Sequence, residues 1–249
     1  MGLLMPRAIF DITGRDNISF LQGLITNDIA KCEAGLLYTA LLTPQGKYLA
    51  DFFLLRRGDT ILLDADAAQA DALVARLNMY RLRADVAITP SPLSVSRGLG
   101  PVPADALPDP RHAELGWRRY SDTPVPDDNT DWTALNVAHS IPTSGIELTS
   151  DTYILEVGFE RLNGVDFRKG CYVGQEITAR MKHKTELRKG LVQVEITGRA
   201  PIGTEIIAEG KPVGTLYSQS GGHALAYMRF DRANGEMKAQ DATLHWTPN

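Results

Sequence analysis

Lys169-Gly170-Cys171-Tyr172-Val173-Gly174-Gln175-Glu176, KGCYVGQE, places an ammonium, a thiol, a phenol, a carboxamide and a carboxylate around two glycines. Helix-permissive sequence, ITARMKHK at 177–184, follows directly. The arrangement predicts Cys171 close to a helix N-terminus, where free backbone N–H groups and the Lys169 ammonium favour thiolate over thiol. The competing reading is a small buried hydrophobe, the usual state of a lone cysteine. Gly170 and Gly174 weigh against it, because paired glycines point to a sharp turn or to close approach by another segment or a ligand.

Composition narrows the classes around this stretch. A chain of 249 residues with 43% hydrophobic and 22% charged residues can build one large domain or two to three small ones without staples. The net charge of −4 argues against a nucleic-acid protein driven by charge. Cys32 and Cys171 are far apart and form no CxxC pair, so a disulfide framework or a resident zinc or iron-sulfur centre is not expected. The opening MGLLMPRAIFDITGRD meets Asp11 too early for a secretory signal, and no apolar run is long enough to span a bilayer. The expected setting is the cytoplasm, with free thiols and no membrane.

Upstream of the motif, RAIFDIT at 7–13 suits a strand and Asp16 a helix N-cap, followed by Ile18, Leu21 and Ile25 at helical spacing. Thr26, Asn27 and Asp28 close that helix by turn chemistry or meet a ligand. The run LYTALLTPQGKYLADFFLLRRGDTILLDAD, with turns at PQG (44–46) and RGD (57–59), reads as an antiparallel meander. QGKY lacks the glycine spacing of a phosphate loop. Asp51 interrupts an apolar run and either faces solvent or is held at a pocket. Residues 67–80 predict a helix and Leu82 to Ile88 a returning strand, giving an α+β or mixed architecture.

The Pro- and Asp-rich 101–131 reads as a connection between subdomains built around one short strand, ELGWRRYS, and Thr130 as the cap of a short helix, DWTALNVAHS. Beyond the motif, Arg180, Lys182, Lys184, Arg188 and Lys189 form either a solvated face or an anion site. Five short β-runs from about Leu191 predict a small barrel.

KGCYVGQE followed by TAR resembles the signature of the YgfZ/GcvT-type folate-binding proteins, in the branch tied to iron-sulfur cluster assembly and repair. IFDITGRDNISFLQGLITND, LLTPQGKYLADFFLL, DPRHAELGWRRY, GKPVGTLYS and LAYMRF extend the resemblance over nearly the whole chain. It implies an α+β fold, GcvT-like, with discontinuous α/β subdomains around a central cavity and a small C-terminal β-barrel. The corresponding divisions are 1–100 for the first subdomains, 101–131 for the connection, 132–186 for the return segment with the motif, and 187–249 for the barrel.

The resemblance also implies tetrahydrofolate or a derivative as ligand, a transient iron-sulfur cluster as cargo, and iron-sulfur enzymes or scaffold proteins as partners. Cys171 is the functional residue it singles out, with Lys169 alongside. Asn27, Asp51, Tyr172, Gln175, Glu176 and Arg180 are the folate-binding candidates, with Asp51 or Glu176 accepting from pterin N–H groups and the basic run holding a glutamate tail. The sister aminomethyltransferases give the main alternative, a one-carbon enzyme using Asp51. This chain has no Gly-Glu-x-Gly-Tyr-Glu segment of theirs. An RNA-binding or tRNA-modification factor ranks third, resting on the basic run with His183 and the nearby Tyr172.

Overall fold

The computed structural model describes residues 6–124, 129–184 and 186–248. The chain opens with strand β1 (Arg7–Thr13), helix α1 (Asn17–Gln22) and a 3-10 turn at Ile29–Glu33. Then come β2 (Leu37–Leu42), β3 (Tyr48–Arg57), β4 (Thr60–Asp66), helix α2 (Ala67–Arg81) and β5 (Ala87–Pro90). These strands form one antiparallel sheet in the order β2-β3-β4-β1-β5. The expected strand at 82–88 begins only at Ala87, because Leu82 turns the chain with φ of 45° immediately after α2. Leu82 is a helix terminator, and the residues after it are turn.

Both faces of this sheet are covered, which explains why β2 is buried throughout rather than alternating. One face carries Leu41, Phe52, Leu54 and Leu63 against Leu21, Leu73 and Leu77 of α1 and α2. Asp66 caps α2 by accepting from the Ala68 N–H, and Ala70, Leu73 and Leu77 recur at helical spacing on the buried side. The other face carries Tyr38, Leu42, Tyr48 and Phe53 against Ile141, Ile154, Phe159, Leu162 and Tyr172. Each such fully buried side chain contributes about 1.5–3 kcal/mol relative to exposure.

The register of β2 and β3 slips once. Leu41 pairs with Ala50, but Leu42 pairs with Tyr48, so Leu49 is an extra residue and β3 carries a bulge.

A second sheet, β6-β8-β7, is built from β6 (Ser94–Gly98), β7 (Leu107–Pro108) and β8 (Trp117–Ser121). Two of its strands lie in the segment expected to be a connection. Helix α3 (Trp132–Ala138) follows. Its cap is Asp131, whose carboxylate accepts from the Ala134 N–H, rather than the expected Thr130. A 3-10 turn at Ile154–Val157 and helix α4 (Gln175–Lys184) bracket the motif.

The remainder is a closed barrel of six strands, one more than the sequence indicated: β9 (Lys189–Thr197), β10 (Glu205–Ala208), β11 (Lys211–Ser220), β12 (His223–Arg229), β13 (Met237–Ala239) and β14 (Ala242–His245). β13 is only three residues long, too short for an alternating pattern to stand out. The buried Glu147 joins barrel to body, accepting from the Thr143 N–H at 2.8 Å and the Ser218 N–H at 3.2 Å.

Candidate functional site

Between the first sheet, the second sheet, α3 and the barrel lies a cavity of about 500 Å³, within the ~300–1,000 Å³ usual for small-molecule sites. Asp51 of β3 stands in its wall and is buried. Its Oδ1 accepts from Tyr48 Oη at 2.7 Å and from Ser144 Oγ, and its Oδ2 from Tyr38 Oη at 3.0 Å. Burial, then the Asp51 charge, pushes both phenols well above their ordinary pKa, so both remain donors at neutral pH. Tyr48 Oη also lies 2.9 Å from the side-chain amide of Gln69. One phenol proton cannot serve two acceptors, so with Tyr48 donating to Asp51 the Gln69 amide turns its NH2 toward the phenol.

The lining also carries a cationic cluster. Arg7 of β1 pairs with Asp64 at 2.6 Å. Arg118 of β8 bridges Asp64 at 3.1 Å and Asp109 at 2.9 Å. Arg111 forks onto Asp109 with N···O distances of 3.0 and 2.8 Å. Tyr120 adds a 2.7 Å hydrogen bond to Asp64. Burial works to raise the Asp109 carboxyl, but Arg111 and Arg118 together hold it well below the ordinary carboxylate range. The guanidinium of Arg118 rests 3.9 Å from the Phe53 ring centroid, which fixes the second sheet against the first.

The motif occupies a different place. Its loop is fastened at both ends. Gly174, with φ of 84°, sits so close to the turn after β2 that a Cβ there would come within 2.5 Å of the Thr43 carbonyl oxygen, so only glycine fits. At the other end Lys169 is 7% exposed and its ammonium donates to the carbonyls of Gln22 and Ile25, where α1 ends. Burial lowers its pKa to about 8, against the opposing charges of Asp28 and Asp166. Between these anchors Tyr172 is buried in the core and Cys171 is a free, exposed thiol. Cys32, by contrast, is buried, and that burial pushes its thiol up to about 12.

This geometry corrects part of the sequence reading. Lys169 is committed to two backbone carbonyls at the end of α1, so it holds the loop rather than activating the thiol. Cys171 lies four residues before the first residue of α4, outside the helix N-terminus. Of the six folate-binding candidates, Asp51 alone lines the cavity. Asn27 is consumed internally: its amide donates to the carbonyls of Tyr38 and Asn163, and its oxygen accepts from the Asp28 N–H and Lys31. Tyr172 packs in the core, and burial lifts its phenol to about 12. Gln175 opens α4, where Glu176 and Arg180 pair with each other on the helix surface at 3.0 Å.

The basic run is likewise paired in part. Lys182 reaches Glu160 at 2.5 Å and Lys189 reaches Glu156 at 3.8 Å. The Lys184 side chain and Thr185 lie outside the described residues. The residues missed in the sequence are Asp109, Arg111 and Arg118. They sit in DPRH and WRRYS, where two arginines set between Trp117 and Tyr120 were the available signal.

Together, the two-part body, the central cavity and the appended barrel define a GcvT-like fold. The glycine cleavage system aminomethyltransferase T from Bartonella henselae superposes with a TM-score of 0.75 at 16% identity, covering 97% of this chain and 82% of that one. Residues 188–249 match the family described as CAF17, C-terminal beta-barrel domain.

The chain is similar in sequence to the iron-sulfur cluster assembly factor IBA57, mitochondrial, of Mus musculus. The two are 29% identical over 93% of this chain and 78% of the relative. The Neurospora crassa homologue is 31% identical over 83% of this chain and 56% of its own length. The Mycosarcoma maydis homologue is 29% identical over 75% of this chain and 54% of its own. The chain thus spans little more than half the length of these fungal relatives. No helix among the described residues is long and apolar enough to cross a membrane.

Proposed function

We propose that this chain is an accessory factor for the assembly or maintenance of iron-sulfur clusters in client enzymes, and that it works through a ligand cavity and a presented thiol. The observation that carries the reading is Cys171. It is a free exposed thiol on a loop anchored by Lys169 and Gly174, in a chain whose relatives are named as iron-sulfur cluster assembly factors. A thiolate is a soft ligand suited to iron in such clusters. A single protein thiol makes an incomplete ligand set, which fits a cluster in transit. The partners are accordingly iron-sulfur enzymes or scaffold proteins.

A tetrahydrofolate-type ligand is the occupant we propose for the cavity. The residues fit it in size and chemistry: the volume suits a drug-sized molecule, Asp51 and Ser144 offer polar groups, and the arginines offer donors. When bound, a reduced folate supplies a one-carbon carrier. Asp51 already accepts from three hydroxyls, an arrangement that favours orienting a ring over attacking or deprotonating one, so the aminomethyltransferase reading takes second place. The acidic net charge and the carboxylate partners along α4 speak against nucleic acid as partner. The compartment we propose is reducing, such as the cytoplasm, because both cysteines are free thiols; the relatives carry the word mitochondrial in their names.

Two measurements test the halves of this reading. Equilibrium titration with tetrahydrofolate under reducing conditions should saturate, and a linear, non-saturating response would remove folate. The activities of iron-sulfur enzymes in cells whose sole copy carries Cys171→Ala test the assembly role.

A further inference from the structure

The arginines of the cavity are unequally paired. Arg7, Arg111 and Arg118 all deliver N–H groups to Asp64 or Asp109. Arg97, on β6, lies instead with its guanidinium carbon 4.0 Å from the ring centroid of Trp132. Among the described residues no carboxylate comes within ion-pair distance of it. A partly buried cation without a counter-charge is costly to hold. Its surroundings add to that cost: burial, then the charges of Arg118, Arg111 and Arg7, lowers the Arg97 pKa to about 9, against the opposing charge of Asp109.

A second feature sits at the same place. Trp132 is 5% exposed and lines the cavity. Its indole N–H and Ser91 Oγ are the only buried side-chain polar groups without a hydrogen-bond partner among the described residues. Native proteins rarely leave such groups unmatched. The cavity therefore holds a guanidinium with no carboxylate partner among the described residues and an indole stacked on it, while Pro142, Ile146 and Ile202 provide apolar surface elsewhere in the lining.

We propose that Arg97, assisted by Arg111 and backed by Trp132, is a subsite for an oxyanion, a carboxylate or phosphate group, so that the cavity's ligand is a molecule with an apolar body and one anionic end. The inference rests on reading the cavity as a ligand site and adds the class of group that one end of it recognises. A guanidinium presents its donors as a planar fork matched to carboxylate and phosphate oxygens. The ion pair would supply the charge that Asp64 and Asp109, already divided among three arginines, do not.

The test uses the purified chain and its tryptophan fluorescence, with succinate, inorganic phosphate and tetrahydropterin as probes. Tetrahydropterin carries no oxyanion. Succinate, phosphate or both should give a saturable change in the wild type, and the tighter of the two identifies the oxyanion. Arg97→Gln should weaken that binding by about tenfold or more, Arg97→Lys should keep part of it, and the exposed Arg76→Gln should match the wild type. No saturable response to either anion, or equal binding by Arg97→Gln, overturns the subsite. Should Arg97→Gln fail to fold by circular dichroism, the wild-type titration and Arg97→Lys decide. Anion binding without tetrahydropterin or tetrahydrofolate binding would leave the subsite standing and remove folate. Pterin binding without any anion response would do the reverse.

Discussion

Tyr48 donates to Asp51 at 2.7 Å although the two stand three residues apart on one strand, where strict alternation would put them on opposite faces. The bulge at Leu49 resolves this, because the extra residue resets the alternation and turns both side chains toward the cavity side of the sheet. A local irregularity of β3 thus builds the polar wall of the site. Tyr48→Phe should cost about 1–2 kcal/mol, since it leaves Gln69 and one oxygen of Asp51 short of a partner. Asp51→Ala should cost more, because three buried hydroxyls lose their acceptor at once. Urea unfolding measures both, and a double variant of Tyr48→Phe with Ser144→Ala should depart from additivity.

Arg118 joins the two sheets by pairing with Asp64 and Asp109 and by resting on Phe53. Arg118→Met should destabilise the fold by about 3 kcal/mol, since each carboxylate keeps only part of its compensation. The Asp109 carboxyl is held below its ordinary value in the fold. Its contribution to stability is therefore complete above about pH 4 and is lost as pH falls toward the folded value. Asp109→Asn should remove that part of the acid limb in unfolding measured across pH, and an unchanged acid limb would contradict the assignment.

How much of this was legible in the sequence depended on the range of the interactions. The α2 helix and the meander around PQG and RGD rested on local periodicity and turn residues, and the structure contains both. The barrel was visible as closely spaced short strands, although Met237–Ala239 is too short to give a pattern. Asp51 stood out because a carboxylate in LADFFLL needs a reason. The arginine wall did not stand out. Its members come from β1, β6, β8 and the loop before β8, and the meaning of Arg7, Arg111 and Arg118 lies in pairing with aspartates up to 57 residues away. Lys169 was misread for the same cause: its neighbour in sequence is Cys171, but its acceptors are Gln22 and Ile25.

The two cysteines should differ sharply toward alkylation. Cys171 is exposed and Cys32 is buried, with its thiol pushed up to about 12. Iodoacetamide at neutral pH should label Cys171 in the native protein and reach Cys32 only after denaturant is added. Mass spectrometry of peptides reads the ratio, and equal labelling of both in the native state would contradict the burial of Cys32.

Lys169 gives a second pH dependence of the same sign, in the alkaline range. Its folded pKa of about 8 lies below the ordinary lysine value of 10.5. Between these values the unfolded chain binds the proton and the native one does not, so this group makes stability rise with pH, by at most about 1.4 kcal/mol per unit. Below pH 8 the fold carries the cost of a buried ammonium. Lys169→Met should flatten the slope of unfolding free energy between pH 8 and 10. It should also loosen the motif loop, read as faster proteolysis near Gly170.

The central claim is that Cys171 serves clusters on other proteins, and cells whose only copy of the gene carries Cys171→Ala test it most directly. The protein should accumulate normally, because the side chain is exposed and its loss leaves the Lys169 and Gly174 anchors in place. The account predicts that activities of a subset of iron-sulfur enzymes fall while enzymes without clusters are unaffected. Unchanged activity of every iron-sulfur enzyme, at wild-type levels of the variant protein, would contradict it.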